Sequence, residues 1–542
     1  MKIRVPRAPR HPPAPPPSSM ASSTSPLRDR LLVALGILVL GLPGALLPTV
    51  DPAERHEEFR VREKRRPSRT SVGTALEQRP AAWASAFADG LALRTPLLRL
   101  RGLLHWSVLG SAPGDQMARG AGDWLYRSGD GALDAWRGAA PLTEDEVEDW
   151  VEHHLARQRA VEAVGARYVV CIAPSKAAVY PEGLPPRYLR VGPSRRDQVL
   201  PRLREAGLEV LDLLPGMLVA KSADREDLHE YLYHHDGTHW SWRGDRVADA
   251  LVRAELGLVP PSSKWRREEG TKGYRDSWER RLYLDGLIAH GELEWAPRSR
   301  NRGVKVPGRA LGSDHRSAEP REPRIVVLSD SYGPGVAELL AFDHPVRNLW
   351  DYAFDHGRLV EFEPDLVLAL FVERVFEWVD PRMIPFFEPV LLGRLFEEGR
   401  DTGWELGPGA AGRFRIAGSM EDPAPLRAPR RAESAGSPLL LILDVPPLDG
   451  PAVLRVDLEC SRPGAVEAAS FAPGASPEAR RQTQRYLHAG GRQQLDIAVV
   501  ETPLAKGGRV TLWLDAGAAT WTLHGARLRR TESWMGGELP PR

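Results

Sequence analysis

Three of the fifteen histidines and an aspartate fall within six residues, His234, His235, Asp236 and His239, inside the stretch Tyr231-Leu-Tyr-His-His-Asp-Gly-Thr-His-Trp-Ser-Trp-Arg-Gly244. Asp236 and His239, three apart, can sit about one turn from each other, so the carboxylate can accept the imidazole Nδ1–H. That fixes the tautomer and leaves Nε2 free as a base. The same four side chains are also ordinary zinc ligands, but no His-Glu-x-x-His or paired Cys-x-x-Cys accompanies them. A plain turn built on Asp and Gly with locally bonded histidines is the third reading. The density of the cluster puts acid–base work ahead of metal binding, and a base of this kind calls for a nucleophile.

Ser331 answers that need. The apolar run Arg324-Ile-Val-Val-Leu-Ser329 leads into Asp330-Ser331-Tyr332-Gly333, and 333–342 reads as a helix. A serine between a strand's carboxyl end and a helix N-terminus lies where backbone N–H groups and the helix dipole can hold an oxyanion. Alone it reads better as a helix cap; beside Asp236 and His239 the balance reverses and it completes a Ser-His-Asp set. Arg374 follows another strand-like run and can reach an oxyanion or a uronate carboxylate, or else pair with Glu373 or another acid. Lys176 takes the corresponding place after an earlier strand, and Asn348 is a further candidate donor for substrate or oxyanion. Trp240 and Trp242 can stack on sugar rings or serve as packing.

These side chains must be positioned by alternating elements. Gly122-Asp-Trp-Leu-Tyr126 reads as a short aromatic strand. Thr143 with Glu146 forms a capping box, and Val147, Trp150, Val151, Leu155 and Val161 keep helical spacing up to Gly165. The run 168–173 lacks polar alternation, as expected of a strand covered on both faces; 366–371 reads as a further buried strand, 208–213 and 324–329 as strands, and 195–206 and 245–255 are helix-like. The pattern predicts a mostly parallel α/β sheet whose ligands bind beyond the strands' carboxyl ends. The catalytic domain is expected over 111–398. Within it, an Arg-rich insertion with several aromatics, 260–323, either lines a polymer groove or elaborates the surface. From 399 to 542 short alternating runs between Gly, Pro and Asp turns predict a β-sandwich, either carbohydrate-binding or structural.

Residues 1–30 are rich in Pro, Ser and basic side chains and read as a disordered tail. The uncharged run 31–50 has the length of a membrane-crossing helix, and its basic flank keeps the N-terminus in the cytoplasm. A cleaved signal peptide is the alternative. Residues 51–110 read as a charged juxtamembrane linker and a helical segment. A chain of 542 residues with 42% hydrophobic content has room for two or three domains, and a net charge of +1 argues against general nucleic-acid binding. Cys171 and Cys460 fall in different domains, so no disulfide framework is expected. No cofactor or metal is called for.

Several of these segments together carry a resemblance. Leu328-Ser-Asp-Ser-Tyr332 looks like the Gly-Asp-Ser block of SGNH-type esterases and Asp236-Gly-Thr-His239 like their Asp-x-x-His block, in swapped order. With 122–126, Pro174-Ser-Lys176, Tyr180-Pro-Glu182, His239-Trp240, Pro364-Asp-Leu-Val and Val372-Glu-Arg374, the chain over roughly 50–395 resembles the alginate O-acetyltransferase family of the AlgJ and AlgX type. The family commonly has Asp-x-His-Trp, one residue shorter than here, and Ser329 stands where the esterase block has Gly. The resemblance implies an SGNH-hydrolase-like fold and a single-pass inner-membrane protein with its catalytic domain facing the periplasm. It further implies acetylation of an exopolysaccharide with acetyl groups supplied by a multi-span membrane acyltransferase, Ser331 being nucleophile, His239 base and Asp236 orienter. A carbohydrate O-acetyl esterase of the same fold and a non-catalytic polysaccharide-binding subunit of a secretion complex are the competing readings.

Overall fold

The computed structural model describes residues 94–542 apart from 225–230, 261–277, 285–303, 306–311, 316–321, 351, 385, 407–412, 416–429, 434–438, 447, 449–450, 472–483, 500–507, 516–519, 532–533 and 535–542. The tail, the run 31–50 and most of 51–110 therefore lie outside the described residues. Among the described residues no helix is long and apolar enough to cross a membrane. The chain divides into two compact units, Met1–Arg101 and Gly102–Arg542.

The first strands of the second unit form a hairpin, β1 (Met117–Arg119) and β2 (Leu125–Arg127). The expected strand at 122–126 is thus shifted: Ala121–Asp123 forms a tight turn, with Gly122 at φ 60°, before β2 starts. Helix α1 (Glu144–Glu162) starts at the anticipated capping box, Thr143 and Glu146 exchanging side-chain and backbone hydrogen bonds. It leads into β3 (Arg167–Ala173), α2 (Arg195–Glu205), β4 (Val210–Asp212) and α3 (Trp242–Leu256). Then come β5 (Val304–Lys305), β6 (Gly312–His315), β7 (Ile325–Ser329), α4 (Gly333–Leu340), β8 (Val346–Trp350), β9 (Phe354–Asp355) and β10 (Leu366–Val372).

The central sheet runs β4-β3-β10-β7-β8-β6-β5. Its first five strands are parallel, and β6 and β5 are added through antiparallel pairs. The edge pair β5 and β6 comes from the stretch expected to be an insertion, so part of that stretch belongs to the sheet. Successive side chains of a strand face opposite ways. Val170 and Ile172 therefore join Trp150 and Val151 of α1 and Val199 and Leu203 of α2 on one face. Val169, Cys171 and Ala173 meet Ala248 and Val252 of α3 and Val336, Ala337 and Leu340 of α4 on the other. The helices that follow the histidine stretch and the serine turn thus share one face. In register, Val372 lies beside Ala173 and Leu370 beside Ser329, which brings Pro174-Ser-Lys, Glu373-Arg and Asp330-Ser to one rim.

The C-terminal part contains two five-stranded antiparallel sheets, one built on Ala452–Cys460, Gly491–Val499 and Thr520–Arg530, the other on Leu439–Val445, Gly464–Phe471 and Gly508–Asp515. Their common core includes Leu441, Leu443, Val456, Leu512 and Trp521. Helix α5 (Pro389–Glu398), which the sequence places with the catalytic domain, buries Leu392, Leu395 and Phe396 in this same core.

Candidate active site

Strand β7 is buried along its whole length and ends in a turn too tight for most residues. A Cβ on Gly333 would fall 2.1 Å from the Ser329 Cβ, so glycine is what lets α4 start directly over the strand end. Asp330 locks the turn: its Oδ1 accepts the Tyr332 N–H at 2.8 Å and its Oδ2 accepts the Val372 N–H at 2.9 Å, from the end of β10. Burial raises the pKa of this carboxyl, while those two N–H groups and Arg374 oppose the shift. Ser331 stands at the top of the turn, partly exposed. Its hydroxyl does not cap α4, whose N-cap is Tyr332 without a side-chain hydrogen bond.

The histidine stretch closes on itself through an isolated antiparallel bridge between Tyr233 and Trp240. The His234 N–H donates to the His239 carbonyl at 3.3 Å, and Ser241 caps α3 by accepting the Gly244 N–H at 3.4 Å. This loop brings His239 Nε2 to 2.7 Å from Ser331 Oγ. The other ring nitrogen, Nδ1, lies 3.5 Å from Thr238 Oγ1. Burial first, then the charges of Arg374, His234, Arg281 and Arg127, push the His239 pKa down to about 3, so its imidazole is neutral at pH 7. Asp236 is partly buried on the same loop, and its backbone carbonyl accepts the Trp278 N–H at 3.0 Å.

Tyr332 joins the two halves. Its hydroxyl donates to the Thr238 carbonyl, and its ring packs against His239 at 5.1 Å and edge-on against Trp240 at 4.9 Å between centroids. Arg374, buried at the end of β10, holds its guanidinium over the Tyr332 ring at 5.4 Å and donates to the Tyr332 hydroxyl at 3.4 Å. As for the alternative, an ion pair with Glu373 or another acid, Glu373 is engaged elsewhere, its Oε1 accepting the Ser175 N–H at 2.9 Å, while Asp330 and Glu377 act on the Arg374 charge.

Three residues expected to face the substrate have other partners. Lys176 is buried, and its ammonium is committed to the carbonyls of Leu125, His234, His235 and Gly237 at 2.8, 2.5, 2.7 and 3.1 Å, so it serves the loop instead of an oxyanion. Asn348 is buried on β8 and its Oδ1 accepts the Ser329 hydroxyl at 3.0 Å, which supports the strand end below the turn. Trp240 is buried against Tyr332 and hydrogen-bonds Asp245, so it packs and presents no face to a sugar. The metal reading also loses its geometry, because His235 packs at a tilt between Trp124 and Tyr231, at 4.2 and 4.6 Å between centroids, while His239 points at the serine. Among the described residues no group of three or more His, Cys, Asp or Glu is placed to hold a metal ion. Sequence reasoning missed Asp330 and Tyr332, although both flank Ser331, and the contribution of Arg127 and Arg281, for which no sequence signal exists.

Residues 117–287 match the family model described as "SGNH hydrolase-like domain, acetyltransferase AlgX". The matched segment contains Lys176, Asp236 and His239 and stops short of Ser331. Among proteins of curated function, none matches the chain in sequence. Distant structural likenesses include the O-acetyltransferase domain of Pseudomonas putida AlgJ, at 17% identity and TM-score 0.33 over 49% of this chain and 93% of that one. Pseudomonas aeruginosa AlgX matches at 15% identity and TM-score 0.34, over 77% and 94%. Bacillus cereus PatB1 matches at 12% identity and TM-score 0.38, over 49% and 99%.

Proposed function

We propose that this protein is an SGNH-like O-acetyltransferase in which Ser331 carries the acetyl group and a sugar hydroxyl of an exopolysaccharide receives it. The observation that carries the reading is the 2.7 Å approach of His239 Nε2 to Ser331 Oγ at the carboxyl rim of a parallel sheet. The AlgX-type match over 117–287 supports the acetyl-transfer class.

In the first step His239 takes the hydroxyl proton as Ser331 Oγ attacks the donor's acetyl carbonyl. The donor's leaving group departs with that proton, and an acetyl ester of Ser331 remains. In the second step His239 takes the proton of a sugar hydroxyl, whose oxygen attacks the ester; collapse of the tetrahedral intermediate frees the acetylated sugar and returns the proton to Ser331 Oγ. Asp236 orients the imidazole from its place three residues earlier. Arg374, a fixed cation beside Tyr332, stabilises the negative charge that develops on the carbonyl oxygen. Water in place of the sugar would make the same residues an acetyl esterase.

The apolar run 31–50 with its basic flank supports a single-span tether in the inner membrane with the catalytic domain in the periplasm, and the resemblance to the AlgJ and AlgX type implies a multi-span acyltransferase as acetyl source. The decisive experiment is incubation with a chromogenic acetyl ester, with mass analysis of the trapped enzyme. The parent chain is expected to release chromophore and to carry one acetyl group on Ser331, and Ser331→Ala to lose both. Parental turnover by Ser331→Ala would refute the assignment. A parent chain that binds polysaccharide yet never becomes acetylated would establish the binding-subunit reading instead.

A further inference from the structure

The Lys176 ammonium is buried, at 3% exposure, yet the carbonyl oxygens that receive its protons belong to neither Ser331 nor His239. These four partners come from two separate segments, Leu125 on β2 and His234, His235 and Gly237 on the histidine loop. The same segments are tied directly by the Leu125 N–H donating to the His235 carbonyl at 2.8 Å. The rings of Trp124 and Tyr126 stand 4.8 and 5.3 Å from Nζ and favour a cation there. Four carbonyl oxygens converging on one buried point repel one another unless a cation holds the centre, and a buried carbonyl deprived of its donor keeps the full penalty of its lost hydration. Without the ammonium the peptides at 234–237 would turn toward water, and Gly237 is only two residues from His239.

We infer that Lys176 is a positioning residue, a fixed internal cation that holds loop 234–237 in the shape that brings His239 to Ser331. This rests on the reading of Ser331 and His239 as the acyl-transfer pair. The ammonium stands where a carbonyl cage would otherwise need a bound ion, delivered by the short helix Lys176–Val179 after β3. Its three N–H bonds serve the four oxygens, one of them shared between two carbonyls, and its compact charge fills the centre of the cage, which the planar guanidinium of arginine does not.

The test compares the full chain with Lys176→Met, Lys176→Arg and Lys176→Ala on a small chromogenic acetyl ester. A misplacement of about 1 Å costs on the order of 100-fold in rate, so kcat of Lys176→Met should fall about 100-fold with KM little changed and with cooperative unfolding retained. Lys176→Arg should not restore it. Methylammonium chloride should restore Lys176→Ala about tenfold, the worth of charge-assisted hydrogen bonds, and tetramethylammonium, which has no N–H, should not. A folded Lys176→Met with parental kcat overturns the inference, as does equal rescue by both cations. Loss of the folded state in both Met and Ala variants assigns Lys176 to fold stability alone and overturns it too. A parent chain inactive on the ester, or an active Ser331→Ala, refutes the acyl-transfer reading instead and is distinguishable from all of these.

Discussion

Arg374 sets the titration of His239 from a distance. Its guanidinium is the largest charge acting on the imidazole after burial, and both influences disfavour the imidazolium. A base must be neutral to accept a proton, so activity is lost as pH falls through the His239 pKa. Because that pKa is held near 3, the acid limb of kcat/KM should lie well below the ordinary histidine value of about 6.5. Arg374→Met removes the opposing charge, so the limb should move to higher pH as well as the rate falling. A pH–rate profile of the variant with an unmoved acid limb would contradict this account. At this scale the sequence exposed Ser331 and His239, because clustered spacing and a strand-to-helix junction are local signals. It placed Lys176 after a strand's carboxyl end and named Asn348 and Trp240 as candidates, but it gave the partners of none of them. Those depend on strand register, and no spacing in the chain encodes that Lys176 meets carbonyls 58 to 61 positions away.

Two helices carry the site, and Arg253 staples them. From α3 its Nε bonds Asp249 at 2.9 Å, its Nη1 reaches Asp343 at 2.9 Å beyond α4, and its Nη2 donates to the Leu339 carbonyl at 2.9 Å within α4. Arg253 and Asp249 are both almost fully buried. Removing one member of such a network leaves uncompensated buried charge, a loss of about 3–5 kcal/mol. Arg253→Met should therefore lower the unfolding free energy by that order in a denaturant titration and reduce ester turnover as α3 and α4 separate; a change below about 1 kcal/mol would show the staple to be idle. The strands that read as apolar runs were legible for a simple reason: both of their faces are covered. Strand β8 was not, since Val346-Arg-Asn-Leu-Trp350 looks like loop. Its Arg347 is buried only because Asp314 on β6, at 2.7 Å, and Glu361, at 3.1 Å, neutralise it. Asp314 comes from a stretch that has no strand signature, and Glu361 from the helix His356–Phe362.

On the scale of the molecule, the α/β part and the sandwich share more than a linker. Leu392, Leu395 and Phe396 of α5 lie in the sandwich core, and the Trp534 N–H donates to the Arg382 carbonyl at 2.9 Å. A boundary drawn at 399 from the change of periodicity marks where β structure begins and not where packing divides. Far from the active site, on the opposite face of the sheet, α1 buries His153 and His154 beside Arg157. Burial first and then Arg157 push both histidines down, His154 to about 3 and His153 well below its usual value. In the unfolded chain they titrate near 6.5, so the neutral pair contributes its full stability above that pH. As pH falls below about 6.5 the unfolded state gains protons that the folded state refuses, and stability declines by about 1.4 kcal/mol per pH unit for each histidine until the folded pKa is reached. Unfolding free energies measured from pH 7 to pH 5 should therefore fall. Replacing His153 and His154 with Gln should flatten that slope by about two protons while lowering stability at pH 7, where the His154 Nδ1 contact with the Tyr168 hydroxyl at 3.0 Å is lost. A slope that the double replacement leaves unchanged would place the acid sensitivity in other groups, His239 and His488 first among them, since both are also held below their usual values.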